Sequence, residues 1–274
     1  MSAGEQNVSQ CCAAFYSSHL ARVLLGESFH PGGTALTQRL GEMLALSPRS
    51  HVLDIASGRG TSAFFLASSF GCRVTGVDLS DQNVHEAAAE AERLGLATRV
   101  VFHSGDSERL PFSSSTFDAV LCECAFCTFP GKDRAALEFH RVLKPGGRLG
   151  LSDLTRTAEP IPQLAGLLAW IACIGDAQPL YRYAEILRGA GLEIDAVEDH
   201  SAALAELVRQ IQGRLLWAEV MTGLNKLDLP GVDFSTAKQF ARAALDAVRA
   251  GKLGYALAMA TKPAPSAANG TSEI

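Results

Sequence analysis

The residues best placed to do chemistry begin at Val52-Leu53-Asp54-Ile55-Ala56-Ser57-Gly58-Arg59-Gly60-Thr61, an apolar strand pattern that runs into a glycine-bearing turn and then a helical pattern. Glycine at such a turn leaves room for a ligand to approach the backbone. The next apolar run ends in Val77-Asp78-Leu79-Ser80, about twenty residues on, where a carboxylate can accept both hydroxyl protons of a ribose. A third carboxylate, in Gly105-Asp106-Ser107, follows the third apolar run and is in position for the exocyclic amine of a purine. Together these residues describe a grip on a nucleoside. The Lys-Ser/Thr pair of a phosphate-binding loop is absent from the turn, which argues against nucleotide hydrolysis.

Short apolar runs alternating with helical periodicity position these residues. That alternation requires parallel strands in one sheet. Strands are expected over residues 51–55, 73–78, 99–104, 117–122 and 148–153, with helices over 61–69, 81–94 and 132–143 and a turn at Lys144-Pro145-Gly146-Gly147. Helices over 163–174 and 179–190, a sixth strand over 192–198 and a seventh over 253–260 follow. Between the last two strands, 202–225 and 235–250 carry apolar residues at helical spacing, parted by Leu229-Pro230-Gly231. The expected fold is α/β, a doubly wound, seven-stranded, mostly parallel sheet with helical cap elements. Its divisions are a helical cap (1–49, helical around 15–25 and 36–44), a cofactor-binding core (50–200), a helical insertion (201–251), a final strand (252–262) and a disordered tail (263–274).

Residues 50–155 resemble the class I S-adenosylmethionine-dependent methyltransferases. The resemblance rests on the motifs above together with Leu110-Pro111-Phe112, Phe117-Asp118 and Arg141-Val142-Leu143-Lys144-Pro145-Gly146-Gly147. Within that family the chain is similar to the branch of ubiquinone/menaquinone-biosynthesis, sterol and arsenite methyltransferases. The resemblance implies S-adenosylmethionine as cofactor. Its amino-acid end would be held by Asp54, Ala56, Gly58 and Gly60, its ribose by Asp78 and Leu79, and its adenine by Gly105, Asp106 and Ser107. Asn83 is counted with this set, Glu123 would lie near the methionine moiety, and Tyr16 would close over the cofactor from an N-terminal helix. Ala56 stands where the family turn has its first glycine.

The acceptor is expected over the carboxyl ends of strands four and five, the edge where open α/β sheets place ligands. Two segments fall there: Cys122-Glu123-Cys124-Ala125-Phe126-Cys127, and Ser152-Asp153 with the residues after it. Thiolates suit a thiophilic acceptor such as trivalent arsenic. The segment around Cys173 resembles the corresponding part of arsenite methyltransferases, and Cys124 and Cys173 are then the candidate acceptor residues. The match lacks a cysteine after strand six and another after strand one, so Cys11, Cys12 or Cys124 would have to substitute. Free cysteines are also among the most buried residue types, which makes Cys72 and Cys122 core filler and leaves both roles open for Cys124 and Cys173. The spacing of Cys122, Cys124 and Cys127 is not a zinc pattern, and no metal site is expected.

An oxygen or carbon acceptor would instead need a base, for which His30 and Glu123 are candidates; His30 could equally cap the pocket. His19 reads as structural, His140 as a surface residue on a helix behind the sheet, and Trp170 and Trp217 as pocket wall or core. A third possibility is a module that binds the cofactor without transferring its methyl group.

Composition narrows the partners. A net charge of −5 with no run of Lys and Arg argues against nucleic acid, so a small-molecule acceptor is expected. The polar start, the odd count of seven cysteines and the lack of an 18-residue apolar run give the expectation of a cytoplasmic protein with free thiols and no membrane span.

Overall fold

A computed structural model describes residues 30–264 apart from 167, 170, 171, 228, 230 and 231. Expectations for Cys11, Cys12, Tyr16, His19, Trp170 and the 263–274 tail therefore lie wholly or largely outside the described residues, as does part of the helix expected over 163–174.

The chain forms α1 (Gly33–Met43), β1 (His51–Ile55), α2 (Thr61–Phe70), β2 (Arg73–Asp78), α3 (Asp81–Arg93), β3 (Val100–Ser104) and β4 (Phe117–Glu123). There follow α4 (Lys132–Val142), β5 (Leu143–Arg156), α5 (Leu180–Gly189), β6 (Glu193–Asp199), α6 (Ser201–Gly223), α7 (Phe234–Arg249) and β7 (Leu253–Thr261). The seven strands lie in the order β3-β2-β1-β4-β5-β7-β6. All are parallel except β7, which runs antiparallel to both β5 and β6. The order reverses between β1 and β4, which makes their carboxyl ends the switch point where such sheets bind ligands.

The near-continuous apolar runs of β1, β2 and β4 reflect burial on both faces, with Val52, Leu53, Ile55, Val120 and Leu121 at 0–1% exposure. One face is covered by α1, whose Leu36 and Leu40, with Leu44 just after it, join the core. Gly150 of β5 permits that approach, since a Cβ there would come within 3.0 Å of Leu44 Cδ1.

Two local readings change. Lys144-Pro145-Gly146-Gly147 does not separate helix from strand; it lies inside β5, which starts at Leu143 and continues three residues past Asp153. The cause is pairing beyond the local segment. Gly146 N–H donates to Lys262 O at 2.8 Å, and Lys262 N–H donates to Gly147 O at 2.9 Å, while Gly146 takes the left-handed φ of +76° that the turn motif suggested. Trp217 is not core: it is 52% exposed on α6.

The connection between β6 and β7 carries two helices, α6 and α7. Asp199 and Asp153 both pair with Ala256, so β6 ends at the carboxyl edge of the sheet, level with Asp153 and three residues short of the end of β5. Both α6 and α7 are inserted at that edge. His200 N–H fixes the start of α6 by donating to Tyr255 O at 2.8 Å.

Candidate functional site

Three carboxylates converge at the carboxyl ends of β1, β2 and β4. Asp54 is 3% exposed, and its Oδ2 has no hydrogen-bond partner among the described residues. Burial, and then the neighbouring charges of Glu123 and Asp78, push its carboxyl well above the usual carboxylate range. Asp78 is fixed by backbone and side chain: Gly58 N–H donates to its Oδ2 at 2.8 Å, and Ser80 N–H and Asn83 Nδ2 donate to its Oδ1 at 2.9 and 3.2 Å. Asn83, itself buried, thus acts on Asp78.

The turn between β1 and α2 has the backbone its glycines imply. Gly58 and Gly60 have φ of +52° and +84°, and Ala56 adopts +53° without being glycine, which costs about 1 kcal/mol. Around Gly58 nothing stands within 4 Å of where a side chain would project, so the backbone is open to a ligand there. Gly60 is required for packing, because a Cβ would meet Phe102 Cζ at 2.6 Å and Phe64 Cζ at 2.8 Å. Leu79, just beyond Asp78, is 50% exposed, an apolar platform at the site's edge. Gly105 N–H donates to Asp78 O at 3.0 Å, and Asp106 Oδ1 accepts from Glu108 N–H at 2.9 Å, which brings the β3 turn against the end of β2. Ser107 is part of that turn.

Glu123, at the end of β4, is held from three directions. Ser62 Oγ donates to its Oε2 at 2.5 Å, Thr37 Oγ1 lies 3.2 and 3.1 Å from Oε1 and Oε2, and His30 Nε2 stands 3.7 Å from Oε2. His30 is 9% exposed; its Nδ1 donates to Pro31 O at 3.3 Å, while Nε2 has no hydrogen-bond partner among the described residues. Sequence reasoning had His30 and Glu123 as separate candidates, and the fold brings them together. It missed Thr37 and Ser62, because lone hydroxyls on helices carry no pattern.

The thiols gather behind β4 and β5. Cys173 lies against both Cys124 and Cys127, and its Sγ contacts Cys124 O at 3.7 Å. Cys124 and Cys173 take left-handed φ of +52° and +60°. Contact with Cys173 and then burial hold the Cys124 thiol well above its ordinary value; burial and then Cys173 do the same for Cys127. These are protonated, weakly nucleophilic thiols. Cys72 and Cys122 are fully buried in the core.

Asp153 closes this cluster. Its Oδ2 accepts from Cys127 N–H at 2.9 Å and its Oδ1 from Leu154 N–H at 2.7 Å, yet burial raises its carboxyl to about 7. Between the ordinary carboxylate range and about 7, the folded chain keeps a proton the unfolded chain has lost. Stability should therefore fall as pH rises through that window, by up to roughly 4 kcal/mol for a shift of this size. Urea unfolding at pH 5.5 and pH 8 should show the slope in the wild type and a flatter one in Asp153→Asn; parallel slopes would remove Asp153 as the cause.

Comparison with known proteins agrees with this architecture. Residues 52–147 match the family described as a methyltransferase domain. The chain is 32% identical to the 27-O-demethylrifamycin SV methyltransferase of Amycolatopsis mediterranei over 197 residues, 65% of this chain and 71% of that protein. It is also 32% identical to the erythromycin 3''-O-methyltransferase of Saccharopolyspora erythraea over 234 residues, 74% and 76% of the two chains. Among solved structures, the [4+2]-cyclase SpnF superposes with a TM-score of 0.75 at 26% identity, covering 95% of this chain and 97% of that one. The chain belongs to the class I S-adenosylmethionine-dependent methyltransferases. It is an enzyme of that family acting on a small molecule with S-adenosylmethionine as cofactor. Among the described residues no helix is long and apolar enough to cross a membrane.

Proposed function

We propose that the chain methylates a hydroxyl oxygen of a small, largely apolar natural product, with His30 as the general base. The observation that carries this reading is the buried, unpartnered Nε2 of His30 beside the Glu123 carboxylate at the carboxyl edge of the sheet. S-adenosylmethionine, when bound, supplies a methyl group on a positively charged sulfur. An alcohol must lose its proton as its oxygen takes that methyl group, whereas a thiolate or a metalloid lone pair need not. With Nδ1 donating to Pro31 O, Nε2 is the atom free to take that proton, and Glu123 would stabilise the imidazolium formed.

The residues present fit the cofactor. An unpartnered buried carboxyl at Asp54, flanked by two more carboxylates, favours a cationic ligand, and the ammonium and sulfonium of S-adenosylmethionine are such groups. In this reading Asp54 faces the ammonium, with Ala56, Gly58 and Gly60 giving backbone access. Asp78 accepts from the ribose, Leu79 supports the adenine, and Gly105, Asp106 and Ser107 border it. The α6–α7 insertion would cover the acceptor. The similarity to macrolide and ansamycin O-methyltransferases supports an oxygen acceptor; a carbon acceptor, as in the sterol branch, would use the same base.

The arsenic reading keeps one supporting observation, the contact between Cys124 and Cys173. The raised Cys124 thiol and the burial of Cys173 weigh against it. Product analysis by mass spectrometry separates the two. A panel of hydroxylated macrolides, quinols and arsenite with glutathione should yield O-methylated products. Methylarsenic formation that disappears in Cys173→Ser would replace this reading with the arsenic one.

A further inference from the structure

We infer that Thr37 and Ser62 are positioning residues: their hydroxyls clamp the Glu123 carboxylate and thereby set the affinity of the site for S-adenosylmethionine. The inference rests on the cofactor reading above, in which Glu123 lies beside the methionine moiety.

Thr37 is at 0% exposure on the buried face of α1, among Leu36, Leu40 and Gly41. Ser62 is in the first turn of α2, directly after the glycine turn. Glu123 ends β4. Three elements that are remote in sequence thus meet at one carboxylate, 86 and 61 residues apart. The two oxygens are not equivalent. Oε2 accepts from Ser62 at 2.5 Å and faces Thr37 and His30, whereas among the described residues Oε1 has only the Thr37 contact at 3.2 Å. One oxygen is held by the protein and the other retains accepting capacity.

Glu123 and Asp54 are close enough to repel one another when both are charged, and hydroxyl donors to Glu123 offset part of the cost of holding its charge away from water. Because the clamp fixes the carboxylate before the ligand arrives, binding loses less side-chain freedom. Through Glu123, Thr37 also links α1, the element that follows His30, to Ser62 of α2. The predicted base and the predicted cofactor contact are then placed by the same helix.

The test compares Thr37→Val, Thr37→Ser and Glu123→Gln by calorimetric titration of S-adenosylmethionine without acceptor, with thermal unfolding alongside. Valine keeps the volume of threonine and removes the hydroxyl; serine keeps the hydroxyl and leaves a methyl-sized void. The clamp predicts an affinity loss of about tenfold for valine, near wild-type binding for serine, and at least as large a loss for Glu123→Gln. Wild-type affinity in valine with loss in serine would make Thr37 a packing residue and overturn the inference. If Glu123→Gln binds as wild type, the cofactor role of Glu123 fails, and the clamp's effect on binding fails with it. If Glu123→Gln weakens binding and Thr37→Val does not, only the clamp fails.

Discussion

Replacing Asp54 by Asn should weaken S-adenosylmethionine binding about 100-fold or more and abolish the pH dependence of that binding, without unfolding the protein. Asp54 is buried, its Oδ2 has no partner among the described residues, and Glu123 and Asp78 surround it with like charge. Without a cation nearby it holds its proton well above the usual range. An arriving ammonium reverses the balance, since the ionised form gains a charge-assisted contact at short range. Binding then expels a proton wherever the free protein still carries it. Below the pKa of the free protein, affinity should rise with pH, up to tenfold per unit, and level off above it. Calorimetry in two buffers of different ionisation enthalpy would count the proton. Asparagine keeps the shape but cannot take the negative charge, so the proton release disappears together with the affinity. A loss of about 100-fold corresponds to about 2.7 kcal/mol, within reach of one buried charged contact. The Asn variant without ligand should be at least as stable as wild type, because a neutral amide need not take up a proton on folding as Asp54 must above the ordinary carboxylate range. Unchanged affinity in Asp54→Asn would remove the acidic cluster as the cofactor site.

The second large effect is expected at His30. His30→Ala should lower kcat by about 10²- to 10⁴-fold, the usual contribution of a positioned general base, while S-adenosylmethionine still binds. The imidazole is oriented by its contact with Pro31 O, and its other nitrogen faces Glu123 at 3.7 Å. Single-turnover transfer separates this effect from substrate binding. A variant that transfers methyl groups at the wild-type rate would leave His30 as a cap on the pocket, the other role open to it on the sequence.

The residues that announced themselves in the sequence did so for local reasons. Boundaries of β1 and β2 were readable because strands buried on both faces are short, unbroken apolar runs punctuated by glycine and aspartate. The glycine turn, Asp78 and Asp106 were readable because parallel topology spaces them regularly along the chain. Lys144-Pro145-Gly146-Gly147 misled because its pairing partner is Lys262, more than a hundred residues later. Thr37 and Ser62 were silent for the same reason: a hydroxyl on a helix acquires a function only when a distant carboxylate arrives. Trp217 has an apolar ring and helical spacing, and only the packing of α6 shows that this side faces outward. The thiols present the opposite case. Their sequence cluster suggested soft-ligand chemistry, and the fold brings Cys124, Cys127 and Cys173 together where burial and mutual contact raise the Cys124 and Cys127 thiols well above their ordinary value.

The measurement that tests the account most directly is transfer of label from methyl-labelled S-adenosylmethionine to a hydroxylated macrolide or related natural product, by wild type and by His30→Ala. Label should enter the organic-soluble product in one-to-one ratio with the demethylated cofactor, at a rate that collapses in the variant. Tight cofactor binding with no label entering any acceptor would contradict it and point to a role without methyl transfer.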